Sequence, residues 1–261
     1  MRNLKQFGTT VLVSLGFMLI SCGTTLVLTP LETEDEFERA MSYFENRKYA
    51  AAVQAFERIL FYHPSSEYVD DAQYWLGRTY FETKNYDQAI SEFDYLIKNF
   101  STSTFLEEAQ FYRAKSYLLE APGYTKDPTE LENAIGLFNQ FLTKYPNSKY
   151  TDEVRDLILT ARNRLAKKEV ENGKLYIKLG EYDAALLYFT YVFETYPETD
   201  VGSEAKYNAA LLHERKGARE KALELYNQLL EEDAWRERVE KRIEELEKKE
   251  IHEEIEEESE E

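Results

Sequence analysis

The feature that most constrains how this chain can fold is a frame of three residues that recurs five times. Each copy has an alanine, an aromatic residue four positions later and a large apolar residue four positions after that. The copies are Ala52/Phe56/Leu60, Ala89/Phe93/Ile97, Ala134/Phe138/Leu142, Ala185/Phe189/Phe193 and Ala222/Tyr226/Leu230. A spacing of four residues places all three side chains on one face of an α-helix. Because one such helix cannot bury its apolar face alone, the recurrence predicts stacked helical units.

Each copy of the frame is predicted to form the second helix of a helix pair. Twelve residues after the leading alanine the helix should end, since proline occupies that position in three copies and cannot continue a helix. The residues at this position are Pro64, Ser101, Pro146, Pro197 and Ala234, and eight residues later Ala72, Ala109, Val154 and Ala205 begin the apolar face of the next helix. The alanine-to-alanine steps of 37, 45, 51 and 37 residues are close to the roughly 34-residue tetratricopeptide repeat. We therefore predict an all-α, tetratricopeptide-like α-solenoid of five helix pairs over residues 33–232.

Two glycines indicate where neighbouring helices should lie close together. Gly77 with Tyr80, and Gly173 with Tyr176, fall where the first helix of a tetratricopeptide repeat has a small residue followed by a tyrosine. The small residue lets two helices approach, and the tyrosine fills the space above it.

Three segments depart from the regular spacing. Residues 121–128 contain two prolines and a glycine, so they cannot lie inside a helix and predict a loop inserted within repeat three. No proline occurs between Tyr150 and Gly180, which predicts one helix of about 30 residues. After Glu232, Trp235 and Val239 share a face with two further apolar residues, and we predict a C-terminal capping helix. It lies in an acidic helical tail, residues 233–261, whose last ten residues are expected to be disordered.

The first 21 residues predict a bacterial lipoprotein signal peptide. Arg2 and Lys5 precede an apolar run over residues 7–20 that is too short for a stable membrane span. The run ends in Leu19-Ile20-Ser21-Cys22, the pattern at which such signals are cleaved before a cysteine that is then acylated. An ordinary signal peptide and an uncleaved anchor helix are the alternatives.

Cys22 is accordingly the predicted lipid attachment site, and residues 22–32 the lipidated linker. Several acyl chains on one residue suffice for stable anchoring. Gly23 follows the cysteine, where an aspartate would favour retention in the inner membrane, so we expect an outer-membrane lipoprotein that faces the periplasm. Cys22 is also the only cysteine, which excludes an intramolecular disulfide and a thiolate metal cluster.

The charge of the chain excludes a nucleic-acid-binding protein. The formal net charge is -18, and no stripe of Lys and Arg is present to attract phosphate. Residues 231–261 hold 16 Asp and Glu against 6 Lys and Arg, so these 31 residues, which include the acidic tail, carry more than half of the net charge.

The sequence contains no recognisable catalytic motif. His63, His213 and His252 share no motif, and no glycine-rich phosphate loop, His-x-x-x-His pair or Gly-x-Ser-x-Gly elbow occurs. We expect no enzyme activity, no cofactor and no metal site.

The predicted function is therefore a binding surface. In a solenoid of helix pairs, one stripe of each first helix lines the inner groove. Projection through the repeat frame gives Phe37, Met41, Phe44, Tyr74, Arg78, Phe81, Phe111 and Lys115 as the peptide-binding groove. Apolar side chains with two isolated cations suit an extended peptide whose terminal carboxylate a cation could hold. The alternative is that these aromatic residues only pack one repeat against the next.

From about Thr33 to Glu232 the chain resembles the BamD family of outer-membrane assembly lipoproteins, which belong to the β-barrel assembly machinery. Tyr145-Pro146-Asn147-Ser148-Lys149-Tyr150 and Arg164-Leu165-Ala166-Lys167-Lys168-Glu169 carry the resemblance, together with Cys22, the repeat-three loop and the long helix. Generic tetratricopeptide proteins share only the repeat frame.

The resemblance implies a scaffold that binds two kinds of protein partner. Its N-terminal repeats would recognise the C-terminal signal of unfolded outer-membrane proteins, and its C-terminal repeats would contact the barrel-forming subunit beside other lipoproteins of the machinery. The chain departs from the family at Tyr188, where many members have an arginine at a position associated with contact to that subunit. Other envelope functions stay open: pilus or secretin assembly, Tol-linked division, and a docking platform for a cell-wall hydrolase.

Overall fold

The computed structural model describes residues 32–121 and 128–260, with side chains as far as Lys248. Within these ranges the chain forms eleven α-helices and no strand. The helices are α1 (Thr33–Glu45), α2 (Tyr49–Tyr62), α3 (Val69–Glu82), α4 (Tyr86–Asn99), α5 (Leu106–Glu120), α6 (Thr129–Lys144), α7 (Thr151–Leu179), α8 (Tyr182–Thr195), α9 (Asp200–Arg215), α10 (Arg219–Leu229) and α11 (Asp233–Glu260).

The first ten helices form five pairs that stack in chain order. Each helix packs on the one before it, and the first helix of a pair also contacts the first helix of the next pair, as α3 does with α5, α5 with α7 and α7 with α9. The last helix, α11, packs on α10. The predicted solenoid of five helix pairs with a C-terminal capping helix is confirmed.

The recurring frame forms the core of the solenoid. The five leading alanines and the five aromatic residues that follow them are all 0% exposed, while the third members of the frame are partly buried. A residue that packs against its own helix pair and against the next helix pair is fully buried. This burial explains why the frame dominates the sequence pattern.

The two glycines sit where an aromatic ring of the paired helix crosses them. A Cβ atom on Gly77 would lie 2.8 Å from Cε1 of Phe93, and one on Gly173 would lie 2.7 Å from Cε1 of Phe189. Both rings are themselves fully buried, so they have no room to move aside. The predicted close approach is confirmed at both positions.

Gly173→Ala is expected to lower the free energy of unfolding by about 1–3 kcal/mol, because the new methyl group overpacks the core against Phe189. Chemical denaturation followed by circular dichroism measures the change. Gly136, in α6, is the control, since no atom lies within 4 Å of a Cβ built there. Gly136→Ala should raise stability by about 0.5–1 kcal/mol through helix propensity alone. Equal shifts in the two variants would show that ring contact does not decide the outcome.

The two longer alanine-to-alanine steps are explained by the long helix α7 and by the segment between α5 and α6. α7 has 29 residues and ends at Leu179, and the next residue, Gly180, terminates it with a φ of 79° in the left-handed region. α5 ends at Glu120 and α6 begins at Thr129; residues 122–127 of the predicted loop lie outside the described residues. Arg164 of α7 donates to the carbonyl oxygens of Leu118 (2.9 Å) and Ala121 (2.8 Å), which caps α5 at the edge of the insertion.

The structure describes the C-terminal end of the chain further than the N-terminal end. The predicted signal peptide, Cys22 and the linker as far as residue 31 lie outside the described residues. α11 runs to Glu260, while the disorder expected for the last ten residues stays a prediction. Across the described helices, none combines the length and the apolar character that a bilayer crossing requires.

Candidate binding surfaces

The predicted groove stripe is largely occupied by contacts between repeats. In each of the first three repeats, one aromatic residue of the stripe packs against the aromatic residue that directly precedes the first helix of the next repeat. The pairs and their ring-centroid distances are Phe37–Tyr68 at 5.2 Å, Tyr74–Phe105 at 4.2 Å and Phe111–Tyr150 at 4.1 Å. The last two pairs are stacked within 13° of parallel. These contacts hold successive repeats together.

Two of the predicted groove residues are therefore core residues. Tyr74 is 0% exposed and Phe111 is 1% exposed, so neither can contact a peptide. For these two residues the groove prediction is wrong, and the alternative of inter-repeat packing is correct. The aromatic partners Tyr68, Phe105 and Tyr150 were not predicted. A signal for them exists, since each stands sixteen residues after a leading alanine.

The two cations of the stripe are not isolated, contrary to the prediction. Arg78 pairs with Glu82 at 3.0 Å, and its guanidinium lies 3.8 Å from the ring centroid of Tyr112. Lys115 pairs with Glu153 at 2.7 Å. Any carboxylate that binds these cations has to compete with a carboxylate of the chain itself.

The other four stripe residues keep part of their surface. Phe37, Met41, Phe44 and Phe81 are all partly buried. Phe44 packs edge-on against Trp75 at 5.0 Å, and Phe81 packs edge-on against Tyr112 at 5.0 Å. Together with the aliphatic parts of the Arg78 and Lys115 side chains, they form a discontinuous apolar surface along α1, α3 and α5. We call these six residues the N-terminal stripe.

The Tyr145–Tyr150 stretch fixes the α6–α7 connection to the first turn of α5. Ser148 donates to Glu107 at 2.6 Å, and Gln110 donates to the hydroxyl of Tyr145 at 2.8 Å. Glu108 accepts hydrogen bonds from Lys149 (2.7 Å), Tyr150 (3.1 Å) and Tyr74 (2.6 Å). Partial burial acts to raise the pKa of Glu108, but the hydrogen bonds from Lys149 and Tyr74 outweigh it, and the pKa is lowered. This stretch therefore has a structural role.

The outer face of α8 is apolar although it is not buried. Asp183 and Glu194 are the only charged residues among its fourteen, whereas only Ala185, Phe189 and Val192 are buried. Leu187 is 73% exposed and Tyr191 is 49% exposed. Of the nine large hydrophobic side chains that are exposed in the described chain, five lie on α7 and α8. A helix that is apolar on all sides normally has a partner on each side, so this face indicates an interaction surface.

A cavity of about 490 Å³ lies at this surface, between α7 and α8. Its walls are Glu169, Tyr176, Ala184, Leu187, Tyr188 and Tyr191, which we call the tyrosine pocket. The rings of Tyr176 and Tyr188 are stacked, with centroids 5.3 Å apart and planes 19° apart. Desolvation raises the pKa of the Tyr188 hydroxyl, and the nearby Tyr176 and Glu169 add to the shift. Asn172 donates to Glu169 at 3.0 Å.

The histidines do not form a catalytic group in the described part of the chain. His63 lies 3.7 Å from the buried carboxylate of Glu36, which also pairs with Arg39 and Arg58. Burial lowers the pKa of His213, and Lys221 and Lys216 lower it further. Within residues 32–121 and 128–248, no cluster of His, Cys, Asp and Glu is suited to hold a metal ion.

Comparison with known protein families shows which family the chain belongs to. The family YfiO, described as outer membrane lipoprotein, matches residues 31–228, which is most of the chain and extends from α1 into α10. The chain belongs to this family. The resemblance to BamD that the sequence predicts is thereby confirmed.

Individual relatives are similar to this YfiO family member over shorter stretches. The outer membrane protein assembly factor BamD of Vibrio cholerae is 26% identical over 80 residues, which cover 31% of this chain and 33% of that protein. BamD of Caulobacter vibrioides is 27% identical over 106 residues, 41% of this chain and 35% of that protein. Each alignment thus spans about a third of the relative's length. A tetratricopeptide repeat protein of Bacteroides fragilis has a similar structure, with a TM-score of 0.47, 12% identity, and 84% of this chain and 99% of that chain covered.

Proposed function

We propose that this YfiO family member is a lipid-anchored scaffold of the β-barrel assembly machinery on the periplasmic face of the outer membrane. It binds the C-terminal signal of unfolded outer-membrane proteins and the barrel-forming subunit, and it promotes membrane insertion without catalysing a chemical step. The family match over residues 31–228 carries this proposal, since relatives of the same family are described as outer membrane protein assembly factors.

Two separate surfaces support a scaffold that binds two partners at once. The N-terminal stripe lies on α1, α3 and α5, and the apolar outer face of α8 lies in repeat four. We assign the first surface to the substrate signal and the second to the barrel-forming subunit. A substrate peptide can lie along the partly buried stripe residues Phe37, Phe44 and Phe81. Its terminal carboxylate would displace Glu82 from Arg78 or Glu153 from Lys115, so binding should be weak and sensitive to salt.

The first test is a pull-down of the lipidated full chain from a mild-detergent envelope extract, with mass spectrometry of the retained proteins. Recovery of a large outer-membrane β-barrel protein with periplasmic repeats is the expected result. Recovery of secretin or pilus components, of Tol-linked proteins or of a cell-wall hydrolase in its place would overturn the proposal.

Phe81→Ala should weaken binding of a substrate-type peptide by about 1–3 kcal/mol, as expected for an aromatic contact residue. The probe is a synthetic peptide of alternating apolar residues that ends in phenylalanine with a free carboxylate, titrated by fluorescence anisotropy. Tyr95→Ala is the control, because Tyr95 is 54% exposed on α4 and lies outside the stripe. If Phe81→Ala instead costs several kcal/mol of stability with unchanged peptide affinity, Phe81 only packs against Tyr86 and Tyr112.

A further inference from the structure

Arg162 and Arg78 share one arrangement, in which the guanidinium lies over a tyrosine ring and pairs with a glutamate. The guanidinium of Arg162 lies 4.9 Å from the ring centroid of Tyr196 and bonds to the carboxylate of Glu198. Arg78 lies 3.8 Å from the Tyr112 ring and pairs with Glu82. In both sites the guanidinium lies over the ring while the carboxylate accepts a hydrogen bond from its N–H groups.

The tyrosine pocket contains the same two components. The stacked rings of Tyr176 and Tyr188 form one wall, and Glu169 supplies a carboxylate beside them. The arginine–ring contacts of the described chain do not include Tyr176, Tyr188 or Tyr191. The pocket therefore presents a binding arrangement for arginine in which the cation has to come from another molecule.

The surroundings favour an arginine carried on a protein over a free small cation. The exposed side chain of Leu187 and the exposed ring of Tyr191 border the pocket, and apolar surface of this kind binds the residues that flank an arginine on a partner. Arginine also fits better than lysine, because its planar guanidinium can stack on a ring and bond to a carboxylate at once.

We propose that the tyrosine pocket binds an arginine side chain, flanked by apolar residues, of the barrel-forming subunit. The guanidinium lies against the ring of Tyr188 or Tyr176 and pairs with Glu169, and the flanking residues cover Leu187 and Tyr191. This inference rests on the proposed function for the identity of the partner. The preference for an arginine is argued from the residues of the pocket alone.

The first experiment repeats the envelope pull-down with variants of the lipidated full chain. Glu169→Gln and Tyr188→Ala should each retain clearly less barrel-forming subunit than the wild type, whereas Tyr188→Phe, which keeps the ring, and Tyr95→Ala should retain as much. Melting temperatures measured beside the pull-down show that each variant is folded. If wild type, Glu169→Gln and Tyr188→Ala retain equal amounts of that subunit, the inference is overturned and the proposed function stands.

The second experiment tests the pocket without the natural partner. Two short peptides, one with an arginine between leucines and one with citrulline in its place, are titrated against the purified full chain by fluorescence anisotropy. The wild type should prefer the arginine peptide by about three- to tenfold, as a cation–π contact with a partly exposed ion pair allows. The ratio of the affinities for the arginine peptide and the citrulline peptide should fall towards one in Glu169→Gln and Tyr188→Ala. It should persist in Tyr188→Phe.

The two experiments separate the inference from the proposed function. If the wild type retains no barrel-forming subunit, the proposed function fails, while a citrulline-sensitive preference still supports an arginine pocket. If all variants bind both peptides equally, the arginine pocket is overturned whatever the pull-down retains.

Discussion

Phe189→Ala should lower the free energy of unfolding by about 3–5 kcal/mol, because it removes a fully buried aromatic ring from the core. Phe189 is 0% exposed, and its ring lies over Gly173 of α7. Its neighbour on the same helix, Leu187, is 73% exposed. Leu187→Ala should therefore change stability by no more than about 0.5 kcal/mol. Urea denaturation followed by circular dichroism measures both variants.

The contrast between these two positions tests the assignment of the α8 surface. We expect Leu187→Ala to reduce retention of the barrel-forming subunit in the pull-down although the protein remains fully stable. Phe189→Ala is not informative for binding, because any loss of binding in this variant could result from its loss of stability. A loss of several kcal/mol in Leu187→Ala would show that this side chain belongs to the core, and the outer face of α8 would then have no free apolar surface to offer a partner.

The helical architecture could be predicted because local sequence determines it. The alanine and aromatic positions of the frame are buried in every repeat, and the prolines end helices whatever surrounds them. The length of α7 followed from the same reasoning, since its boundaries at Tyr150 and Gly180 are local signals. Even the close approach at Gly77 and Gly173 could be predicted, because only a residue without a side chain fits beneath a buried ring.

The groove was predicted less well because it depends on how one repeat is rotated against the next. A single helix shows which residues share a face, but it does not show whether that face turns towards solvent or towards the following repeat. Tyr74 and Phe111 turn towards Phe105 and Tyr150. The ion pair of Lys115 has the same cause, since its partner Glu153 lies 38 residues away in the sequence. Arg78 differs, because its partner Glu82 is four residues further along the same helix, a spacing that the sequence alone shows.

The α8 surface could have been found from sequence. Only two of the fourteen residues of α8 are charged, so the helix has more apolar residues than one buried face requires. Such an excess predicts a second contact surface on the helix. The tyrosine pocket itself could not, because Glu169 and Tyr188 are brought together only by the packing of α8 on α7.

The capping helix α11 covers the last repeat through a small number of side chains. Val239 is 0% exposed and Leu246 is 8% exposed, and the ring of Trp235 lies 5.2 Å from that of Tyr207. Arg242 pairs with Glu214 of α9 at 2.6 Å. Without this helix, apolar side chains of α9 and α10 would face water.

Val239→Asp should therefore cost about 3 kcal/mol or more, because it places a carboxylate at a position that is fully buried. The exposed apolar face of the last repeat should then promote self-association, which light scattering during size-exclusion chromatography detects. Lys241→Asp is the control: it adds more negative charge to the same turn of α11, but on the exposed side. If both variants lose stability equally, repulsion within the acidic tail is the cause. If neither does, α11 is not the cap of the solenoid, and α10 alone has to shield its end.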